Sequence, residues 1–229
     1  METKLFFGHL VNKMPDLQEV VMDFKLSKAH LLQQELYRRF AENEIRPLAR
    51  EMDESESYNM ELLAKMKRYG FFGIPYAREY GGAGSDTLAY TLCMEEISKV
   101  DASSGITISV HTSLCCSCIN DFGTEEQKRN YLTPLINGEK IGCYGLTEPN
   151  AGSDAAGQQT VAVRDGDDYV ITGSKVFTTN SGFADTFVMF ALTDRSIGTK
   201  SMTAFIVDRN APGLTVSADI PRMGIRAAS

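Results

Sequence analysis

Tyr144-Gly-Leu-Thr-Glu-Pro-Asn-Ala-Gly-Ser-Asp154 and, beyond a polar hairpin, Lys175-Val-Phe-Thr-Thr-Asn180 mark the place where the pattern of the chain changes. The first segment enters as a strand over residues 142–146 and is turned by Pro149 and Gly152, with small polar side chains clustered in the bend. Backbone N–H groups and the hydroxyls of Thr147 and Ser153 can there face a planar polar ring or a pyrophosphate, with no bulky side chain between. A surface turn between strands has the same composition, so on spacing alone the two readings stand side by side.

Downstream of Gly138 the apolar residues fall in short β-type runs, at 141–146, 160–164, 169–172, 186–192 and 202–207. Asp165-Gly-Asp-Asp168 reads as a hairpin turn, and Phe187-Val-Met-Phe190 as a strand covered on both faces. Upstream the spacing is helical. Ser27 is placed to cap a helix with apolar positions Leu32, Leu36, Tyr37, Phe40 and Ala41, and Pro47 is expected to bend it or to begin a new segment. A helix from Met60 to Tyr69 stops at Gly70. Residues 86–100 form another, with Leu88, Leu92, Cys93, Ile97 and Val100 inward, and 101–118 a further one that is apolar almost all round and therefore buried. Thr124 and Gln127 make a capping box for a helix running to about Leu135. These patterns predict an α+β chain: an N-terminal extension over 1–21, an all-α helical domain over 22–137, and a small β-barrel-like domain over 138–229.

The 229 residues are 43% hydrophobic, and no uninterrupted apolar run is long enough to cross a bilayer, which predicts a soluble chain with no membrane partner. Thirty acidic against twenty-three basic residues, a net charge of -7, argue against a nucleic-acid surface. Cys93, Cys115, Cys116, Cys118 and Cys143 are an odd set with no signal peptide ahead of them, so a reducing, cytoplasmic location is expected. Cys115 to Cys118 lacks a second ligand pair, so no metal is assigned. His9, His30 and His111 are scattered and none sits in a nucleophile motif. Gly81 to Gly84 is not followed by the Lys-Ser/Thr of a phosphate loop.

Thr147-Glu-Pro-Asn-Ala-Gly-Ser-Asp154, followed by Gly173-Ser-Lys-Val-Phe-Thr-Thr-Asn-Ser-Gly182, resembles the acyl-CoA dehydrogenase family of flavoenzymes. Phe71-Phe-Gly-Ile-Pro-Tyr76 with Glu79-Tyr-Gly-Gly-Ala-Gly84, Val110-His-Thr-Ser-Leu114, Gly123-Thr-Glu-Glu-Gln127 and Pro221-Arg-Met-Gly-Ile-Arg-Ala-Ala-Ser229 extend the resemblance, which runs from about residue 22 to the end of the sequence. It is closest to short-chain, butyryl-CoA-type bacterial members. The resemblance implies FAD as cofactor. Tyr144, Gly145, Leu146, Thr147, Gly152 and Ser153 would form the flavin loop, and Phe177, Thr178 and Thr179 would cover another portion of the ring. Ser153 would also lie near the CoA thioester arm. Val110 and Leu114 would line part of the acyl pocket, although apolar residues on a buried helix also simply pack. Phe177 stands where many relatives carry Trp, Thr178 where they carry a β-branched apolar residue, and Ser181 where Gly is commoner. A core position in a strand is the other reading of Phe177.

The implied reaction is α,β-dehydrogenation of an acyl-CoA thioester: a carboxylate takes the α-proton while the β-hydrogen leaves as hydride to flavin N5. Electrons then pass to electron-transfer flavoprotein, and full-length members assemble as homo-oligomers, typically tetramers. In the family the base is a Glu on a C-terminal helical domain without counterpart in these residues, so no catalytic residue is assigned. Glu148 belongs to the flavin-loop motif, and Glu95 and Glu96 read as a solvated or interhelical pair. The expectation is a chain that binds FAD weakly and is inactive alone. An acyl-CoA oxidase-type branch and a non-catalytic truncated fragment are the alternatives. The flavin assignment requires the bend near residue 150 and the end of the Phe177-Thr-Thr179 strand to meet as two walls of one slot.

Overall fold

A computed structural model describes residues 24–217 and 220–228; the expected extension over 1–21 lies outside the described residues. Helix α1 (Lys28–Phe40) starts at Ser27, whose side chain accepts the His30 N–H. It passes through a π turn (Ala41–Ile45) directly into α2 (Arg46–Ser55), with Pro47 in the first turn. Pro47 thus marks the start of a new α segment, as one of the two expectations had it. Its missing N–H falls in the register change, where a helical hydrogen bond is not required of it. Tyr37, Phe40 and Ala41 are buried as expected, but Leu32 is 73% exposed and Leu36 47%. Helix α4 (Thr87–Ser98) covers the opposite face of α1 through Gln34, Arg38 and Glu96, which places the buried stripe one residue further round.

Helix α3 (Met60–Arg68) is capped by Asn59 and turns off at Gly70. In α4 the buried positions are Ala89, Leu92, Cys93, Glu96 and Ile97, whereas Leu88 is exposed. Glu96 is not a solvated carboxylate. It accepts Gln34 Nε2 at 2.9 Å and Arg38 Nε at 3.1 Å, and Lys99 Nζ lies at 3.1 Å, so burial of its charge is matched by opposite charge. Glu95 stays at the surface beside Lys99.

The long apolar helix is capped by Asp101, which accepts from the N–H groups of Ser103 and Ser104, and continues beyond the expected end to Phe122. It comprises α5 (Ala102–Ser109), a π segment (Val110–Cys116) and α6 (Ser117–Phe122). Hydroxyls of Ser113 and Ser117 bond back to the carbonyls of Ser109 and Ser113 and compete there with the helical ladder. By length and composition alone this 21-residue helix could cross a membrane, although Ser, Thr and His interrupt its apolar residues; 61% of its window is buried against the rest of the chain. Thr124 and Gln127 form the expected capping box at the start of α7 (Glu125–Gln127), which runs through a further π turn into α8 (Thr133–Ile136).

From residue 142 the chain builds one mixed sheet: β1 (Gly142–Gly145), β2 (Val161–Asp165), β3 (Asp168–Thr172), β4 (Thr186–Leu192) and β5 (Met202–Asp208). Strand β4 is central. β5 runs antiparallel along one edge, and β1 and then β2 run parallel along the other. The β2–β3 hairpin turns at Gly166, as expected. It curls far enough for Tyr169 of β3 to meet Phe205 of β5 edge to face, ring centroids 5.3 Å apart, which is the curvature of a barrel-like domain. Helices and sheet share two hydrophobic clusters. Ile141, Cys143, Ala184 and Phe187 pack with Phe71, Phe72, Ile97 and Ile108, while Val188 joins a second cluster with Cys115, Ile119, Leu132 and Leu135.

Candidate functional site

The π segment meets β1 closely enough to dictate its first residue. A Cβ on Gly142 would fall on Cys115 Sγ, so only glycine lets the strand lie on the helix. The N–H of Gly142 donates to His111 Nδ1 at 3.0 Å, and Cys116 Sγ lies 3.3 Å from His111 Nε2. Burial pushes the His111 imidazole down to a pKa of about 3, so it is the neutral acceptor that the strand requires. The five cysteines are free, and burial raises their thiols, which makes them packing groups. Among the described residues no group of metal-ligating side chains occurs.

Beyond β1, Leu146 and Thr147 lead into a tight turn in which Glu148 and Ala151 exchange two backbone hydrogen bonds of 3.1 Å, with Pro149 and Asn150 exposed at its tip. Gly152 and Ser153 follow at the surface. The returning segment lies alongside: the Val176 N–H donates to the Thr147 carbonyl at 2.8 Å. A Cβ on Gly173 would strike the Thr160 side chain, so this return also depends on a missing side chain. The two sequence segments thus come together, as neighbouring backbones forming a single ledge. The hydrogen bond leaves no space for a ring between the Thr147 and Val176 backbones themselves, so a ring would lie against the ledge.

A buried ion pair stands beneath the ledge. Lys175 Nζ donates to Glu148 Oε1 at 2.7 Å, to Gln158 Oε1 at 2.9 Å and to the Leu146 carbonyl at 3.2 Å, while Glu148 accepts the N–H groups of Gln159 at 2.5 Å and Thr160 at 3.0 Å. Burial works to raise the Glu148 carboxyl, but Lys175 and the two N–H groups outweigh it and hold the pKa at about 2. Glu148 is therefore a fixed anion and unsuited to act as a general base, as its place in the motif implied.

Phe177 sits at φ +56° with its ring 74% exposed, which excludes the strand-core reading. A bulky side chain in left-handed backbone is costly, and here the cost displays an aromatic face beside half-buried Thr178 and Thr179. Asn180, at φ +74° and wholly buried, locks the segment: its Nδ2 donates to the carbonyls of Thr107 at 3.0 Å and Gly142 at 3.2 Å, joining ledge, helix and strand. Gly145, Phe177, Thr178 and Thr179 line a cleft of about 1660 Å³ shared with β3 and the chain after β5. Tyr144 turns away to pack on Phe190, ring centroids 5.2 Å apart. Leu146, Thr147, Gly152 and Ser153 belong to the ledge and its turn without lining that cleft. Val110 is buried and Leu114 is 39% exposed, both on the π segment that supports β1. Lys175, Asn180 and His111 were not singled out from the sequence as site residues; isolated buried polar residues leave no periodic trace.

The models of the acyl-CoA dehydrogenase N-terminal domain and middle domain match residues 27–139 and 143–229. The chain belongs to the acyl-CoA dehydrogenase family. A short-chain-specific acyl-CoA dehydrogenase of Clostridium acetobutylicum is 55% identical over 208 residues, 91% of this chain and 55% of the relative. Among solved structures, butyryl-CoA dehydrogenase from Megasphaera elsdenii superposes with a TM-score of 0.87 at 42% identity, covering 90% of this chain and 55% of its own. A glutaryl-CoA dehydrogenase from Mycobacterium smegmatis in complex with FADH2 gives 0.83 at 32% identity, covering 89% and 51%. The chain spans about half the length of the relatives it matches.

Proposed function

We propose that this chain forms the flavin-supporting half of an FAD-dependent dehydrogenase acting on short-chain acyl-CoA thioesters, with electron-transfer flavoprotein as electron acceptor. The observation that carries the reading is the ledge: an aromatic ring held exposed at positive φ next to three threonines, a buried ion pair and a tight turn, in the family's own motif. The residues fit an isoalloxazine. The Thr147 N–H makes no hydrogen bond to another described residue, and Phe177 offers a flat apolar face. The FAD would accept hydride from the substrate β-carbon. The chain's own part is to orient and to shield: Thr147, Thr178 and Thr179 present donors, Phe177 excludes water from the ring, and Lys175 keeps the loop rigid.

Glu148 and Glu96 are both engaged with cations, so neither is placed to take the α-proton. We assign that role to a carboxylate outside the described residues, as the family resemblance implies. A cytoplasmic location, in keeping with the free thiols, and assembly into homo-oligomers belong to the same proposal. The test is an anaerobic titration of the FAD-loaded, full-length protein with butyryl-CoA. Bleaching of the flavin absorbance, with turnover coupled to electron-transfer flavoprotein, is the expected result. A flavin that stays oxidised refutes the reading, and turnover coupled to oxygen uptake assigns the protein to the oxidase branch.

A further inference from the structure

Residues 146–148, 158–160 and 175 are separate in sequence and converge on the Lys175–Glu148 pair, whose side chains are only 4% and 5% exposed. Taking two charges out of water costs several kcal/mol per ion, and an apolar pair of similar volume commonly gives equal or better stability. Stability alone gives no reason for the pair. Its geometry does. One of the ammonium protons of Lys175 is spent on the carbonyl of Leu146, which points inward to the charge. In a trans peptide the N–H lies opposite the C=O, and no cis bond occurs among the described residues, so the N–H of Thr147 points outward. The other end of Thr147 is also fixed, its carbonyl accepting from Val176.

We propose that Lys175, held by Glu148, is a positioning residue for the flavin that acts through the Leu146–Thr147 peptide. The inference rests on the FAD reading above. The charge polarises the peptide from its carbonyl end and makes the Thr147 N–H a stronger donor toward an acceptor atom of the isoalloxazine. With Glu148 at 2.7 Å the pair carries no net charge and acts as a dipole whose positive end lies at the Leu146 carbonyl; that orientation favours the reduced ring, which carries more negative charge than the oxidised one. Glu148 fixes the ammonium laterally and, through Gln159 and Thr160, ties the turn to the start of β2.

The test is the double variant Glu148→Gln/Lys175→Met of the full-length protein. It removes both charges together; the introduced amide keeps one acceptor oxygen, so one of the two backbone N–H groups, which donate to Glu148 Oε2 and Oε1, loses its partner. FAD affinity is read from quenching of flavin fluorescence, and the midpoint potential of the bound flavin by dye-coupled reduction. The expected result is unfolding that stays cooperative at somewhat lower stability, FAD binding weaker by about tenfold as the Thr147 N–H loses its charge assistance, and a more negative potential. A merely structural pair would leave the potential of bound flavin where it was. Affinity within about twofold of the parent at unchanged potential overturns the proposal and leaves the FAD reading standing. A parent protein that takes up no FAD overturns both. Should the double variant not fold, Thr147→Pro decides: it deletes the N–H with the ion pair intact, and parental affinity and potential in that variant overturn the proposal.

Discussion

Replacing Asn180 tests how the ledge is attached to the rest of the molecule. The Asn180 side chain is wholly buried, and its Nδ2 is shared by two carbonyls, one from the long helix and one from the first residue of β1. Asn180→Ala removes both bonds. A net hydrogen bond contributes about 0.5–1.5 kcal/mol, so the pair accounts for roughly 1–3 kcal/mol. Alanine must also adopt φ +74°, which adds roughly 1–2 kcal/mol because its Cβ crowds the following carbonyl. The expected loss is about 2–5 kcal/mol. Asn180→Gly loses the same bonds without the steric cost, and its greater unfolded-state entropy returns only about 0.5–1 kcal/mol of that advantage. Glycine should therefore be the milder substitution. Urea unfolding followed by circular dichroism measures both, with equal m-values expected if only stability changes. An alanine variant as stable as the parent, or less damaged than the glycine variant, would show that the side chain does not anchor the segment.

Acid should weaken the fold in two stages. The His111 pKa is depressed from 6.5 to about 3 in the folded chain, so its contribution is complete above pH 6.5 and is lost as pH falls toward 3. The Glu148 pKa is depressed from 4.5 to about 2, so its contribution is complete above pH 4.5 and is lost between there and 2. Unfolding free energy measured against pH should fall from near 6.5 and more steeply below 4.5, and Glu148→Gln should flatten the second limb alone; a flat profile between about pH 7 and 3 contradicts both assignments. Gly142→Ala forces a methyl group onto Cys115 and should cost about 1–3 kcal/mol in chemical denaturation, as overpacking does. Phe177→Gly relieves positive φ at an exposed site, so stability should change by less than about 1 kcal/mol while FAD affinity drops. An affinity equal to the parent's would remove Phe177 from the flavin site.

The amino-acid sequence alone determined the order of elements, the switch from helices to strands near Gly138, the caps at Ser27 and Thr124, and the motif that placed the chain in its family. Each of these is a local matter: period, turn chemistry and capping act over a few residues, and strand ends fell within one or two positions of the expected ones. Tertiary structure decided which face of each helix is buried. Leu32, Leu36 and Leu88 have the right spacing but point to water, because a neighbour's position selects among faces that periodicity leaves equivalent. The same holds for Phe177, displayed and not packed. Above all, the partners of Glu148, Lys175, His111 and Asn180 come from segments up to 73 residues apart. Buried polar groups must find partners wherever the fold brings them, and one-dimensional spacing carries no record of where that is.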